Sequence, residues 1–189
     1  MKFILGTKQY MSQVFTENGT VPVTVIATTP ISVTQVKTKE KDGYDAVQAG
    51  FESKKKKTTR REFKPSKIGQ KVEHKVGDAL TIDAFKAGDV VEVSAVSKGK
   101  GFQGVVKRHG FHGGPRSHGL KHSEREPGSI SGGLRTGPRK GKRMAGRMGS
   151  DRVTVKNLKV MHIDGANQLM AISGAIPGRR GTLVEIKGR

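Results

Sequence analysis

Most of the side chains that could form a binding or catalytic site lie in one segment, Lys98 to Ser150, which we call the arm. It holds fourteen glycines, thirteen Lys or Arg and four His, but only two carboxylates. Such residues could form a glycine loop that cradles phosphate groups, a histidine metal site, or a hydrolytic site of serine, histidine and carboxylate. The excess positive charge adds a fourth possibility, a surface that binds a polyanion.

The first motif is Gly99 to Gly104, which matches the G-x-G-x-x-G pattern of dinucleotide-binding loops. Those loops place a pyrophosphate at the N-terminus of a helix that begins after the third glycine. Here four glycines and a proline between positions 110 and 119 prevent a helix of useful length. A protein-kinase loop is excluded because the chain has no H-R-D or D-F-G motif. What remains is a set of glycines beside cations, where N–H groups and positive charge can meet phosphates.

The four histidines of the arm could ligate a metal only if their neutral rings converged. The surrounding Lys and Arg oppose both the metal and the convergence, so we expect no metal and no other cofactor. Histidines that hydrogen-bond to RNA groups or stack on them fit this setting better.

A hydrolytic site is also disfavoured, although Ser117 and Ser123 lie near these histidines. The arm has no hydrophobic scaffold that would hold a triad rigid. Its two carboxylates, Glu124 and Glu126, flank Arg125, and we expect them to pair with nearby cations. We therefore predict that the protein is not an enzyme and has no small-molecule substrate. A nucleic-acid-processing enzyme and a free-standing nucleic-acid chaperone remain as alternatives.

The apolar residues of the arm are spaced singly between the charges, as Phe102, Phe111 and Leu120 illustrate. They are too few and too scattered to form a core, so the arm should not fold alone. A disordered basic tail would have the same composition, but this segment is internal and lies between two runs rich in valine. We therefore expect an arm that projects from a folded body and binds a polyanion.

The residues on either side of the arm must position it, and they resemble short β-strands. Apolar residues alternate with polar ones within Val21 to Val36, and Gly or Pro turns separate the runs. No long helical pattern appears, which favours a mainly β fold, a small closed barrel or a sandwich. The predicted strands are 3–5, 14–15, 21–27, 31–36, 44–51, 90–96, 153–160, 169–172 and 182–186, with a short strand and a helical turn in 76–85.

A second basic stretch, about residues 53–75, contains ten Lys or Arg. It could be a solvated, lysine-rich surface helix or loop. It could also be a second phosphate-facing patch, with Phe63 and Ile68 docking the segment on the body.

Composition and the N-terminal sequence limit the partners and the cellular compartment that we expect. The net charge of +20 points to nucleic acid as the partner, and the absence of cysteine excludes disulfides and thiol chemistry. The N-terminus has an apolar run of only three residues after Lys2, too short for a signal peptide or a membrane span. We therefore expect a cytoplasmic protein without a membrane partner.

Five strings of the sequence carry a resemblance to a known family: ILGTKQYMSQVF, DVVEVSAVSKGKGFQGVVKRHGF, SHGLKHSEREPGSI, GKRMAGRMGSDRVTVKNLKV and GAIPG. On these strings, and over nearly its whole length, the sequence resembles the L3 family of large-subunit ribosomal proteins, of the bacterial type. The resemblance implies a closed Greek-key barrel of the translation-protein type, formed by residues 1–97 and 151–189, with the arm at 98–150. It also implies direct binding to 23S rRNA near its 3′ end, early large-subunit assembly, an arm that reaches toward the peptidyl-transferase centre, and contacts with neighbouring ribosomal proteins.

The sequence departs from the family pattern at three points. Tyr10 to Gln13 replace the usual G-M-T-Q, and the chain has no tryptophan, whereas the longer archaeal and eukaryotic members carry one in their finger. Arg147 stands where many bacterial relatives carry a methylated glutamine, so the methyl acceptor is absent.

We predict that the RNA is bound by the cations and histidines of the arm, by those of the basic stretch, and by Arg152. The predicted residues are Lys54, Lys55, Lys56, Lys57, Arg60, Arg61, Lys98, Lys100, Lys107, Arg108, His109, His112, Arg116, His118, Lys121, His122, Arg125, Arg135, Arg139, Lys140, Lys142, Arg143, Arg147 and Arg152.

Overall fold

The computed structural model describes residues 2–17, 19–52, 58–65, 74–133 and 137–188. It divides into two compact units. The barrel unit comprises Met1–Ser97 and Arg152–Arg189, and the arm unit comprises Lys98–Asp151, the arm plus one residue.

The barrel unit is built almost entirely from strands, which confirms the prediction of a mainly β fold. Short helical turns lie at Lys39–Asp42 (α1) and Ile82–Ala84. The strands are β1 Phe3–Thr16, β2 Gly19–Thr28, β3 Ile31–Lys37, β4 Ala46–Glu52, β5 Thr58–Phe63, β6 Ala79–Leu80, β7 Val90–Val96, β10 Arg152–Asp164, β11 Leu169–Ser173 and β12 Leu183–Gly188. The arm unit contributes two short strands and a helix, β8 Gly101–Gln103, α2 Val105–His109 and β9 Gly146–Met148, with a further helical turn at Ser123–Arg125.

Six antiparallel strands close into a barrel in the order β1-β12-β7-β10-β11-β2, and β2 pairs back with β1. Within this ring β7, β10 and β11 are consecutive neighbours, and β12 returns to lie beside β7. That arrangement is a Greek key. The whole arm is inserted in the connection between β7 and β10, whose ladder begins with the pair Val96 and Arg152.

The core of the barrel unit follows directly from alternation along the strands. In β12, Val184 and Ile186 are fully buried while the residues between and beside them are not, and Val91 and Val93 of β7 are buried in the same way. Successive side chains of a strand point to opposite faces, so each strand gives one apolar face to the interior. Burial of one such side chain stabilises the fold by about 1.5–3 kcal/mol.

A second sheet, in the order β5-β4-β3-β6, packs on the same core. Phe63 of β5 is buried, and its ring stacks on Phe3 of β1 with the centroids 4.3 Å apart. This confirms that Phe63 docks the basic stretch on the body. The prediction of a surface helix or loop is wrong for residues 58–63, because they pair with β4 as a strand. Residues 53–57 and 66–73 of the same stretch lie outside the described part of the chain.

The prediction for the first fifteen residues was also wrong in one respect, because β1 is a single strand of fourteen residues rather than two runs. Its polar middle, from Thr7 to Gln13, is paired with β2 along almost its whole length, with a bulge between Lys8 and Tyr10. Backbone hydrogen bonds to the neighbouring strand therefore keep residues 7–13 extended, although these residues lack an alternating apolar pattern. The strands predicted around 21–27, 31–36, 44–51, 90–96, 153–160, 169–172 and 182–186 are confirmed, with ends shifted by a few residues.

No helix in the described ranges has both the length and the apolar character that a membrane span requires.

Candidate nucleic-acid interface

The arm unit starts and ends in one short antiparallel ladder. Phe102 pairs with Arg147, and the N–H of Lys100 donates to the carbonyl of Met148 at 2.9 Å. Gly149 has a φ of 80°, and a Cβ at that position would overlap the carbonyl oxygen of Lys98. Only glycine permits this close approach, so the chain enters and leaves the unit side by side.

Two of the predicted RNA-binding residues fasten this ladder from within the unit. The guanidinium of Arg108 donates to the carbonyl of Met144 at 2.7 Å, and His109 Nε2 donates to the same oxygen at 3.0 Å. Gly146 lies against that guanidinium, because a Cβ there would be 2.5 Å from Arg108 Nη1. Both side chains are half-buried, so part of their hydrogen-bonding capacity is used inside the protein.

These two side chains are aligned by α2, which follows the glycine motif and is five residues long. It ends at Gly110, whose φ of 73° is left-handed. The glycines thus stop the helix within two turns, as the sequence predicted, and a dinucleotide-binding helix is absent here. Val105 at the start of α2 is the one buried apolar side chain among the described residues of the arm unit.

Farther along the arm unit, backbone contacts take the place of a core. The N–H of Gly114 lies 3.2 Å from the carbonyls of both Ser123 and Glu124. Gly113, with φ 77°, passes so close to the Glu124 carbonyl that a Cβ would overlap it. Glycine is therefore required here because two segments of the arm pass so close that their backbones are in contact. This reason adds to any approach of backbone to phosphate.

Most of the predicted cations and histidines of the arm unit are exposed. Arg116 forms an ion pair with Glu124 at 2.7 Å, and both side chains remain exposed. Such a pair contributes at most about 1 kcal/mol and neutralises little of the surface. The exposed predicted residues of the unit are Lys98, Lys100, Lys107, His112, Arg116, His118, Lys121, His122, Arg125, Arg139, Lys140, Lys142, Arg143 and Arg147.

Large apolar side chains are exposed on the same unit. Phe102 is 77% exposed, Leu120 40% and Ile130 41%. Exposed cations can bind the phosphates of a single-stranded nucleic acid, and exposed apolar side chains can pack against its unstacked bases. A surface that combines the two is therefore suited to single-stranded nucleic acid.

In the barrel unit, two predicted residues share one carboxylate. Glu185 of β12 forms an ion pair with Arg61 of β5, at 3.2 Å from Nε, and another with Arg152 of β10. Alternation places Glu185 on the face opposite Val184 and Ile186, but the sequence gives no indication of which strands lie beside it. Arg60 is exposed. Lys54, Lys55, Lys56 and Lys57, and Arg135 of the arm, lie outside the described residues.

A polar network on the second sheet fixes another cation that sequence reasoning did not single out. Lys37 Nζ donates to Glu62 at 2.5 Å and to the Tyr44 hydroxyl at 2.8 Å, and Tyr44 donates to Glu62 at 3.0 Å. The hydrogen bond from Lys37 lowers the pKa of Glu62, and the same bond raises the pKa of Lys37. The pKa of Asp89 is likewise lowered, first by the backbone N–H of Lys86 and then by Lys2. These cations are engaged within the protein.

The histidines do not converge. Within the described ranges no group of three or more His, Asp or Glu is arranged to hold a metal ion. His109 is fixed on Met144, while His112, His118 and His122 are exposed.

Comparison with known proteins gives one consistent match. The family model for ribosomal protein L3 matches residues 67–175. The large ribosomal subunit protein uL3 of Herpetosiphon aurantiacus is 46% identical over 202 aligned residues, covering 97% of this chain and 94% of the relative. The proteins of the same name from Bacillus thuringiensis and Bacillus cereus are each 42% identical and cover 99% of this chain and 96% of the relative.

Proposed function

The chain belongs to the ribosomal protein L3 family, and from this premise we propose that it binds 23S rRNA directly near the 3′ end of that RNA and nucleates assembly of the large subunit there. As a member of the family it is a structural constituent of the ribosome and not an enzyme. Its place of action is the cytoplasmic large subunit, its other partners are neighbouring large-subunit proteins, and the arm extends toward the peptidyl-transferase centre.

The main support for this proposal is that the arm unit has a large positive charge and almost no hydrophobic core. Thirteen Lys or Arg are set against two carboxylates between Lys98 and Ser150. Among the described residues of the unit only Val105 is a buried apolar side chain. A segment of this kind gains little free energy from its own packing and much from neutralising phosphates, because each neutralised phosphate releases counterions.

The mechanism is structural and needs no turnover. Cations and backbone N–H groups of the arm bridge phosphates of RNA strands that would otherwise repel one another. Exposed apolar side chains such as Phe102 fill gaps between RNA helices or stack on unpaired bases. Arg108 and His109 act mainly inside the arm, where they hold Met144 and keep the two strands of the ladder together.

Arg147 has a distinct part in this mechanism. It is exposed on β9, opposite Phe102. The family resemblance implies that many bacterial relatives carry a methylated glutamine at this position. A guanidinium at that position can bridge two phosphate oxygens, which a neutral amide cannot do as strongly. Arg147 therefore contacts the RNA backbone directly and needs no methylation.

Sedimentation tests the proposed function against its alternatives. Cell extract is layered on sucrose gradients that contain moderate salt, and the protein is followed across the gradient. We expect it to travel with the large subunit and to be absent from the free-protein fractions. A free-standing chaperone or a processing enzyme would remain largely off the subunit, and that distribution would contradict the proposal.

A further inference from the structure

An open pocket lies on the surface of the arm unit, and the proposed function assigns no occupant to it. Its volume is about 730 Å³, and its lining includes Phe111, His112, Glu126 and Arg143 together with glycine backbone. Pockets of about 300–1,000 Å³ are the size that small organic ligands occupy in proteins. A nucleoside therefore fits in this space.

We infer that this pocket binds one unpaired guanine, turned out of the RNA that the arm contacts. The inference rests on the proposed function, since the base reaches the pocket as part of bound rRNA. It adds to the phosphate contacts a site that recognises the identity of a base.

The first argument is the aromatic wall of the pocket. Phe111 is half-buried, and its ring centroid lies 6.0 Å from that of His109 at an interplanar angle of 43°. His109 is fixed by its hydrogen bond to the Met144 carbonyl. The two rings lie side by side at the pocket, and stacking on aromatic side chains is how unpaired bases are commonly held.

The second argument is the carboxylate. Of the two in the arm, Glu124 is paired with Arg116, whereas none of the ion pairs between described residues includes Glu126. A carboxylate among RNA phosphates is repelled unless it meets hydrogen-bond donors. A base edge supplies such donors, and charge-assisted hydrogen bonds of this kind are strong.

The choice of guanine follows from the donors that each base presents. Guanine carries N1–H and the N2 amino group side by side, which match the two oxygens of Glu126. Adenine and cytosine each offer an amino group next to an acceptor, and uracil offers one N–H between two acceptors. A carboxylate is acceptor-only when ionised, so it is matched by guanine and is opposed by an acceptor on each of the other bases.

The remaining lining suits the rest of the nucleotide. Arg143 is an exposed cation at the pocket and is available to the phosphate beside the turned-out base. Gly110 also lines the pocket, and nothing lies within 4 Å of the position that a Cβ would take there, so RNA can approach its backbone closely.

The test uses assembled large subunits from cells whose only copy of this protein is the wild-type chain or a variant. Kethoxal, which forms an adduct with N1 and N2 of unpaired guanine, reports on every guanine of the rRNA. Glu126→Gln and Phe111→Ala remove the carboxylate charge and the stacking ring. Their matched controls are Glu124→Gln, at the paired carboxylate, and Phe102→Ala, at a ring that does not line the pocket.

We expect one guanine, protected in wild-type subunits, to become about tenfold more reactive in both pocket variants, because losing one good base contact changes the equilibrium by about that factor. Both controls should leave it protected, and Phe111→Tyr should restore protection by keeping the ring. The inference is overturned if no guanine responds to both pocket variants, if the controls expose the same guanine, or if the responding base is an adenine detected with dimethyl sulfate at N1.

Failure of the inference can be told apart from failure of the proposed function. If wild-type protein is absent from the subunits, the proposed function is wrong. If the protein is present and protects RNA but no guanine responds, only the pocket assignment is wrong. Glu126→Gln is a near-isosteric change at an exposed side chain, so its result does not depend on refolding of the arm.

Discussion

The barrel unit and the arm unit are stabilised in different ways. In the barrel unit, alternating strands bury side chains such as Ile4, Ile26 and Ile186 completely. In the arm unit, glycine-mediated backbone contacts and two side chains bound to one carbonyl replace a core. Hydrophobic burial is the dominant stabilising contribution to folding, whereas exposed cations contribute to binding phosphates. We therefore expect the barrel unit to supply stability and the arm unit to supply recognition of RNA.

The largest expected effect comes from removing the arm. Residues 102–146 are replaced by a short Gly-Ser turn, which leaves the β7–β10 ladder and its first pair, Val96 and Arg152, in place. We expect cooperative β-type unfolding to persist, because the closed ring is retained and a shorter loop costs slightly less entropy to close. RNA affinity and subunit assembly should be lost. Circular dichroism melts and filter binding measure the two outcomes.

The control for this replacement is a barrel unit whose connection has the same length but a scrambled Gly-Ser order. If the shortened chain fails to fold, the arm is part of the folding unit. The division of stability and recognition between the two units would then be wrong.

The next effect is the salt dependence of RNA binding. If about ten cations of the protein each neutralise a phosphate, log K should fall with log salt with a slope of about −7 to −9. The shortened chain should show a much shallower slope, since most of the relevant charge lies in the arm. Titrations of ribosomal RNA at several potassium chloride concentrations measure both. A slope shallower than about −3 for the full chain would contradict the phosphate-bridging mechanism.

A substitution in the barrel core should lower stability and leave the salt dependence of RNA binding unchanged, which is the reverse of removing the arm. Ile186→Ala removes a fully buried side chain of β12 and should lower the free energy of unfolding by about 2–5 kcal/mol. The slope of RNA binding against salt should stay unchanged where the variant is folded. Ile130→Ala, at a side chain 41% exposed on the arm unit, is the matched control and should change the free energy of unfolding by less than about 0.5 kcal/mol. Equal losses at the two positions would remove the distinction between the units.

The smallest effect is at Arg147. Arg147→Gln replaces the guanidinium by a neutral amide and should weaken RNA binding by about 0.5–1.5 kcal/mol, because a charge-assisted hydrogen bond becomes a neutral one. The salt slope should become less steep by about one unit, whereas Gln103→Ala, a neutral change on the partner strand β8, should leave the slope unchanged. An unaltered slope for Arg147→Gln would show that this guanidinium does not meet phosphate.

How much was predictable from sequence differs between the two units as well. The runs of valine, leucine and isoleucine in β7 and β12 are local signals, so these two strands followed from the sequence. The continuity of β1 did not, because its polar middle is kept extended by pairing with β2, a non-local contact. For residues 58–63 the sequence left two alternatives open. The solvated surface helix or loop was wrong for a similar reason, because pairing with β4 and burial of Phe63 decided the structure.

For the candidate interface, composition predicted which segment is basic but not which cations are free. Arg108 and His109 looked equivalent to their neighbours, yet both bind the Met144 carbonyl, thirty-odd residues away in sequence. Arg61 and Arg152 meet Glu185 only because the fold brings their strands together. Long-range pairing of this kind leaves no periodic signal, so single-sequence reasoning could not find it.

The central claim is that the arm is ordered by RNA while the barrel unit folds without it, and hydrogen exchange of the full-length chain tests it most directly. In the free protein we expect amides between Gly110 and Gly141 to exchange almost without protection, while amides of β7 and β12 stay protected to the level of global unfolding. Addition of ribosomal RNA should protect the arm and leave the barrel amides as they were. Strong protection of the arm in the absence of RNA, or no gain of protection when RNA is added, would contradict this account.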